Sequence, residues 1–365
     1  MGMKRFGGAS GLFIIAEAGV NHNGSFETAC ALADAAKMAG ADAVKFQTFR
    51  AEALATASSP KAEYQQRTTG VGDSQLDMLR QLELSYTDFI ALDRYCRDIG
   101  IMFLSTPFDP MSLDFLVNEV NVPLLKFSSG DITNAPFLLQ GARSGKPIIL
   151  STGMSTLAEV EEALGILSFG YSATPESKPG REAFKTSYWQ ETNHSILAEN
   201  VCILHCVTEY PTPLEEVNLR SMVTLAEAFG LPVGFSDHTM GIGVSVAAVA
   251  LGGCVIEKHL TLDRAGHGPD HAASLEPEAF RRMVEALREA AACLGSPRKL
   301  PAPCERKNLH IGRRSLVARM TIASGEKFTP ENIGVKRPGG GQPPINYWDL
   351  IGKCAERDYL PDDLI

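Results

Sequence analysis

The sequence predicts a (β/α)8 barrel of the TIM type followed by a small C-terminal module. Three observations carry this expectation. Short apolar runs rich in β-branched and aromatic residues alternate eight times with helix-period segments over residues 13–295. Polar residues gather where each of these runs ends, the face on which barrels of this kind carry their ligands. A Pro-rich, basic stretch, SPRKLPAPCERKN at 296–308, then separates the repeat from 309–365 and reads as an interdomain linker.

The strands fall at FIIAEAG (13–19), AVKFQTF (43–49), IMFLSTPF (101–108), LLKFSSGD (124–131), PIILSTGM (147–154), VCILHCVTEYP (201–211), PVGFSDHT (232–239) and VIEKHLTL (255–262). Amphipathic stretches at 25–40, 155–167, 219–230 and 277–295 read as intervening helices. Ser25 and Ser155 are good N-caps, and Gly40, Gly230 and Gly295 stand where a left-handed C-terminal residue is wanted. An open doubly wound sheet is the competing architecture, but its glycine-rich nucleotide turn is missing. GIGVSV at 241–246 lacks the third glycine and follows the seventh strand. Residues 168–199 are polar, carry Pro175, Pro179 and Gly180, and read as a surface insertion between the fifth helix and the sixth strand. The tail 309–365 is a small mixed module of short strand-like runs.

Thirty-four Lys and Arg against 43 Asp and Glu give a net charge of −9. That balance argues against nucleic acid or an anionic membrane as a partner, since both demand a basic face. Small anionic substrates need only a local cluster. The eight cysteines are scattered with no CxxC pair, which reads as reduced thiols. The apolar run from Leu12 meets Glu17 too soon for a signal peptide, and no segment approaches the roughly 20 apolar residues of a membrane span. A cytoplasmic protein is expected.

Each predicted strand delivers polar groups at its end. The first gives Glu17 and then Asn21-His22-Asn23, the second Lys45 and Gln47, the third Ser105-Thr106. The fourth gives Lys126, Ser128, Ser129 and Asp131, the fifth Ser151-Thr152-Gly153, the sixth His205, Thr208, Glu209 and Tyr210. The seventh ends in Ser236-Asp237-His238 and the eighth in Glu257-Lys258-His259, with Asp263, His267, Asp270 and His271 beyond. Lys45, Lys126 and Lys258 among hydroxyls and glycines suit a phosphate and a carboxylate, although each lysine could instead pair with Glu17, Asp131 or Glu257. Ser151-Thr152-Gly153 before a helix offers backbone amides to an anion. His238 and His259 end neighbouring strands and make an open divalent-metal site such as Mn2+ prefers, the alternative being two hydrogen-bonded core histidines. His205 stays open between core and site, and Cys206 reads as structural.

The ordered strings EAGVNHNG (17–24), VKFQ (44–47), STPFD (105–109), LKFSSGD (125–131), LSTGM (150–154), HCVTEYPTP (205–213), FSDHT (235–239), IEKHLTLD (256–263) and GPDH…SLEP (268–277) together resemble the sialic acid synthase family. GRRSLVA (312–318), SGEKFTPENI (324–333) and VKRPGGG (335–341) look like its C-terminal antifreeze-like SAF domain, a β-clip fold. The resemblance covers nearly the whole chain except 168–199. It implies condensation of phosphoenolpyruvate with an open-chain N-acetylhexosamine, giving a nonulosonic acid and phosphate. By motif, His238 and His259 would hold Mn2+, with Mg2+ or Co2+ as other candidates. Lys45, Thr106, Lys126, Ser129, Ser151, Thr208 and Ser236 would bind phosphoenolpyruvate. Glu17, Gln47, Asp131, Tyr210, Asp270 and Arg337 would meet the sugar. Glu17, Lys45, Lys126 and Asp270 form the implied catalytic set, with Glu17 favoured to activate water or move a proton.

Arg337 matches an arginine that crosses into a partner subunit, so a domain-swapped homodimer is expected. Two positions depart from some members, Thr208 standing for Asn and Asp131 for Glu. N-acetylmannosamine is the first expectation for the sugar, giving N-acetylneuraminate, and 2,4-diacetamido-2,4,6-trideoxymannose is the alternative, giving N,N'-diacetyllegionaminate. A non-catalytic sugar-binding or ice-binding protein is the reading from another class. Thr321 and Thr329 are the tail's only threonines, too few for a Thr-rich ice-binding face, and no matched lysine or histidine is missing.

Overall fold

The structure is a computed structural model that describes Phe6 and residues 11–365. It contains the predicted barrel. Eight parallel strands, β1 (Phe13–Gly19), β2 (Ala43–Thr48), β3 (Met102–Pro107), β4 (Leu125–Phe127), β5 (Ile148–Ser151), β6 (Val201–His205), β7 (Val233–Asp237) and β8 (Val255–His259), run in the order 3-2-1-8-7-6-5-4. β3 and β4 lie side by side and close the ring. Each strand alternates between two apolar environments. Phe13, Ile15, Ala43, Leu104, Leu124, Ile149, Cys202, Leu204 and Val255 point inward and, with Phe6, fill the barrel floor. Ile14, Val44, Phe46, Phe103, Phe127, Leu150, Ile203, Phe235 and Ile256 point outward beneath the helices. One step above the floor the inward residues turn polar: Glu17, Lys45, Thr106, Lys126, Ser151, Ser236 and Glu257, all buried.

Several strands stop earlier than the composition predicts. β4 ends at Phe127 because Ser129–Asp131 forms a 3-10 turn, and β6 ends at His205, ahead of a loop holding a cis peptide at Tyr210–Pro211. Ser25 caps the helix Phe26–Met38 as expected, accepting from the Thr28 amide at 3.1 Å. Thr156, not Ser155, caps the helix Leu157–Ser172. Its hydroxyl accepts from the Glu159 amide while Glu159 accepts from the Thr156 amide. Gly230 is a left-handed cap, whereas Gly40 follows the cap residue Ala39 with φ +83°.

Residues 168–199 are more ordered than their polar composition suggests. The helix Leu157–Ser172 runs into them, and helices Arg181–Tyr188 and Glu191–Asn200 pack against it. Phe184 meets Phe169 edge-on, and the polar side chains bond to each other: Asn193 Nδ2 donates to Ser187 and Ser172. The chain divides into two compact units at Gly295/Ser296. Part of the expected linker is helical, over Arg306–Gly312. The C-terminal unit pairs β9 (Ser315–Ala318) with antiparallel β10 (Ile333–Lys336) around Ala318, Ile322, Phe328, Ile333, Ala355 and Tyr359. Among the described residues no helix is long and apolar enough to cross a membrane.

Gly234 on β7 has no room for a side chain. A Cβ there would lie 2.3 Å from the Val255 carbonyl oxygen and 2.7 Å from Leu204 Cδ2. Gly234→Ala is expected to lose about 1–3 kcal/mol, read as a lower denaturant midpoint with an unchanged slope.

Candidate active site

One cleft of about 320 Å3 opens over the inward-facing ends of the strands. Glu17, Lys45, Gln47, Thr106, Lys126, Ser129, Ser151, Thr208, Tyr210, Ser236, His238, His259 and Asp270 all line it. A larger groove of about 630 Å3 runs beside the helices Leu157–Ser172 and Arg181–Tyr188. It holds none of the strand-end residues, so size does not locate the chemistry here.

The cleft floor is a network of paired charges. Lys45 forms ion pairs with Glu17 and, at 3.7 Å, with Glu257, and donates to Thr106 Oγ1 at 2.9 Å. Lys126 lies 3.3 Å from the other Glu257 oxygen, which also accepts from Ser236 Oγ at 2.8 Å. Burial works against every one of these charges, and the partners decide the outcome. Burial favours neutral Lys45, but Glu17 and Glu257 outweigh it and raise its pKa. Glu257 is likewise opposed by burial, yet Lys126 and Lys45 hold it down at about 2. Glu17 has less help, and burial raises it above the ordinary carboxylate range. Of the two carboxylates on Lys45, Glu17 is therefore the one closer to exchanging a proton.

Glu17, Gln47 and Asp270 converge over Gly19. A Cβ on Gly19 would stand 3.1 Å from Glu17 Oε1, 3.3 Å from Gln47 Nε2 and 3.7 Å from Asp270 Oδ2. With φ +52°, this glycine leaves open the space the three groups surround. A second close approach lies at Gly153, where a Cβ would meet Thr208 Oγ1 at 2.4 Å and Ser129 Oγ at 2.9 Å. The Gly153 amide donates to Ser129 Oγ at 2.9 Å. The anion site expected at the following helix is partly spent, because Thr156 and Glu159 cap each other's amides.

His238 and His259 face each other with ring centres 5.7 Å apart. Burial drives His238 to a pKa of about 4 and His259 well below its usual value, so both are neutral imidazoles able to ligate. His238 Nδ1 is engaged by the Val207 carbonyl at 2.7 Å, leaving Nε2 toward Ser236 at 3.4 Å. His259 Nδ1 is buried without a hydrogen-bond partner. An orphaned ring nitrogen beside a second imidazole fits a divalent cation. No group of three or more His, Cys, Asp and Glu suited to a metal occurs among the described residues, so the pair fits an open shell completed by water or substrate.

Not every strand-end residue reaches the cleft. Lys258 points to the outer face, pairing with Asp237 at 3.0 Å and donating to the Thr239 carbonyl at 2.7 Å; the sequence-based cluster of three lysines is really two. His205 bonds the Val217 carbonyl at 2.7 Å and belongs to the core. Asp131 is not a lining residue; its carboxylate accepts from Ser128 and Asn134 within its own turn. Arg337 is exposed in the C-terminal unit, beside the Lys336–Asp362 ion pair. Sequence reasoning passed over Glu257 in choosing site residues, although period-two alternation puts it on the face of His259 and puts Lys258 on the other. It also missed the cover contributed by residues 50–82, in which Leu54, Tyr64, Gln65, Gln75, Met78, Leu79 and Leu82 line the cleft. Nothing in their spacing signals a site.

Burial, with the Glu17 charge adding to it, raises Asp270 to about 7. Its ordinary value is 3.8, so its contribution to stability is full below pH 3.8 and is lost as pH rises to about 7. In chelator-treated protein, Asp270→Asn should flatten the fall in thermal midpoint between about pH 4 and 7. An unchanged slope would exclude Asp270 as its source.

Comparison with known proteins gives a consistent result. The NeuB family model matches residues 32–299, and the SAF domain model matches 313–365. The N,N'-diacetyllegionaminic acid synthase of Campylobacter jejuni is 44% identical over 96% of this chain and 98% of its own. The protein of the same name from Legionella pneumophila is 41% identical over 96% of this chain and 92% of its own. The crystal structure of the N-acetylneuraminic acid synthetase of Leptospira borgpetersenii, in complex with citrate, superposes with a TM-score of 0.65 at 31% identity, covering 81% of this chain and 90% of that one. With the barrel, the tail and the ordered strand-end motifs all in agreement, this chain belongs to the NeuB family of nonulosonic acid synthases.

Proposed function

We propose that the protein condenses phosphoenolpyruvate with 2,4-diacetamido-2,4,6-trideoxymannose and water, giving N,N'-diacetyllegionaminate and phosphate. This revises the first expectation from the motifs, N-acetylmannosamine. Support for the revision comes from the two relatives at 44% and 41% identity, both named as diacetyllegionaminic acid synthases. The observation that carries the reaction class is the buried pairing of Lys45 and Lys126 with Glu17 and Glu257 beside two neutral, facing histidines.

In this reading Lys45 and Lys126, with Thr106, Ser129, Ser151, Thr208 and Ser236, receive the phosphate and carboxylate of phosphoenolpyruvate. His238 and His259 hold a divalent ion, most simply Mn2+, which when bound polarises the sugar aldehyde. Gln47, Asp270 and Tyr210 orient the sugar, Tyr210 with its ring 4.1 Å from that of His238. The C2=C3 electron pair of phosphoenolpyruvate bonds C3 to the aldehyde carbon, whose oxygen takes a proton from solvent, leaving C2 electron-poor. Water then adds at C2, giving up a proton to Glu17, a carboxylate whose pKa burial raises. Phosphate departs by cleavage of the C2–O bond and carries off the proton of the C2 hydroxyl, leaving the ketone.

A cytoplasmic setting agrees with eight cysteines that are all free. A swapped homodimer also belongs to this reading. Met154, Leu214, Met240 and Leu262, in loops that follow β5 to β8, are 42–71% exposed and ring the cleft side of the barrel, which suits cover by a partner's C-terminal unit.

Phosphate release from phosphoenolpyruvate with Mn2+ is expected with the trideoxy sugar and is expected to be lost in His259→Ala together with Mn2+ affinity. Release with N-acetylmannosamine alone would restore the first expectation. Mixing inactive Lys126→Ala with Arg337→Ala is expected to regain activity if Arg337 acts across the dimer, because one site then combines the Lys126 of the second chain with the Arg337 of the first. Failure to regain any would place Arg337 in its own chain's site or in none.

A further inference from the structure

The cleft has two chemically distinct walls. Strand ends supply the charged floor, whereas the loops after β1, β2 and β3 supply Val20, Leu54, Met78, Leu79, Leu82 and Phe108. These six belong to one apolar cluster packed by its own members and by Phe49, Ala51 and Leu76. The segment 50–82 that carries most of it is clamped at its base. Arg50 pairs with Glu83 at 2.5 Å and lies 3.9 Å above the Tyr86 ring, and Glu83 also accepts from the Ala51 amide at 2.9 Å. The wall is therefore a fixed surface. Its polar neighbours in the cover are uncharged, Tyr64, Gln65 and Gln75. Among the described residues the cations lining the cleft are Lys45 and Lys126, and both are paired with carboxylates on the floor.

The order of groups across the cleft fixes which part of a sugar reaches this wall. His238, just past β7, and His259, at the end of β8, mark the aldehyde end, and Glu17, Gln47 and Asp270, whose Oδ2 lies 3.9 Å from His259 Nδ1, surround the next space, over Gly19. Val20 follows directly in the chain, and the wall continues from it through residues that follow β2 and β3. A chain of carbons leaving the histidines thus meets Leu54, Met78, Leu79 and Leu82 with its far end. We infer that this wall is the subsite for C6 of the sugar and selects a methyl group there, against hydroxymethyl or phosphorylated C6. The inference rests on the functional reading above and adds the residues that enforce the deoxy preference. A hydroxyl pressed against Leu54, Met78, Leu79 and Leu82 gives up water and finds no partner among those side chains, and a phosphate there meets no cation among the cover residues that line the cleft.

The test uses sugar pairs that differ only at C6: N-acetylmannosamine against its 6-deoxy analogue, and 2,4-diacetamido-2,4-dideoxymannose against its 6-deoxy form. On either background kcat/KM should fall about 10- to 100-fold when the 6-hydroxyl is present, as expected when one buried hydroxyl goes unpaired. Leu54→Gln supplies a hydrogen-bonding group from a half-buried position in the cover. It is expected to shrink that ratio mainly by lowering KM for the 6-hydroxy sugars, with phosphoenolpyruvate KM unchanged; Met78→Gln serves if the first variant does not fold. Equal kcat/KM within each pair, discrimination at C4 alone, or a ratio unmoved in a folded variant would each overturn the C6 assignment while leaving the synthase reading intact. Absence of turnover with all four sugars would instead overturn the synthase reading, and the C6 assignment with it.

Discussion

A buried charge balance sets the terms for the rest of the molecule. Glu17, Lys45, Lys126 and Glu257 are each no more than 4% exposed, and a charge so placed is tolerable only if it is paired. The pairing demands that four side chains from β1, β2, β4 and β8 arrive at one level, and the parallel barrel with its common inward alternation provides that. The apolar floor of Ile15, Leu104, Ile149 and Leu204 beneath keeps water from entering from below. A second pair, Lys258 with Asp237, sits at nearly the same height on the outer face, from the same two strands that carry the histidines. Removing a single member of either group strands its partner, at a cost of about 3–5 kcal/mol. The network therefore holds the fold in one register and presents lysines whose charge an incoming anion can use.

Much of this was legible in the sequence, and the errors have physical causes. Strand count, order and the barrel followed from apolar runs that must be buried on both faces, as Ile14 and Ile15 are. The cleft set followed from polar residues at strand ends. The mistake over Lys258 came from reading strand ends as sets of residues without asking which face each occupies. Lys258 and His259 are neighbours in sequence and therefore point to opposite sides. The helices at 181–188 and 191–200 were hidden because Ser168, Ser187 and Asn193 look like surface residues, whereas they are buried and bond to one another. Asp131 looked like a ligand because its turn keeps it close to the cleft in sequence. Its carboxylate instead accepts from the Ser128 hydroxyl at 2.8 Å, within its own turn.

The cover could not be found from the sequence for a different reason. Leu54, Met78, Leu79 and Leu82 are ordinary helix residues, and only their packing over strands far away in the chain turns one edge of the cluster toward the cleft. The Tyr64 and Tyr210 rings meet at a tilt with centres 4.9 Å apart and Arg67 pairs with Glu209, so the cover also grips the loop after β6. Contacts of this kind are long-range, and no local pattern encodes them.

The Arg50–Glu83 clamp has an evolutionary consequence. It closes a self-packed excursion at its base, with the reacting groups all rooted outside it, on strands and on the loop holding Asp270. Replacement of the interior of that excursion changes the lining at the far end of the cleft and leaves the lysines, carboxylates and histidines where they are. A lineage built this way can drift among related sugars by exchanging one stretch of chain, keeping a single condensation chemistry throughout.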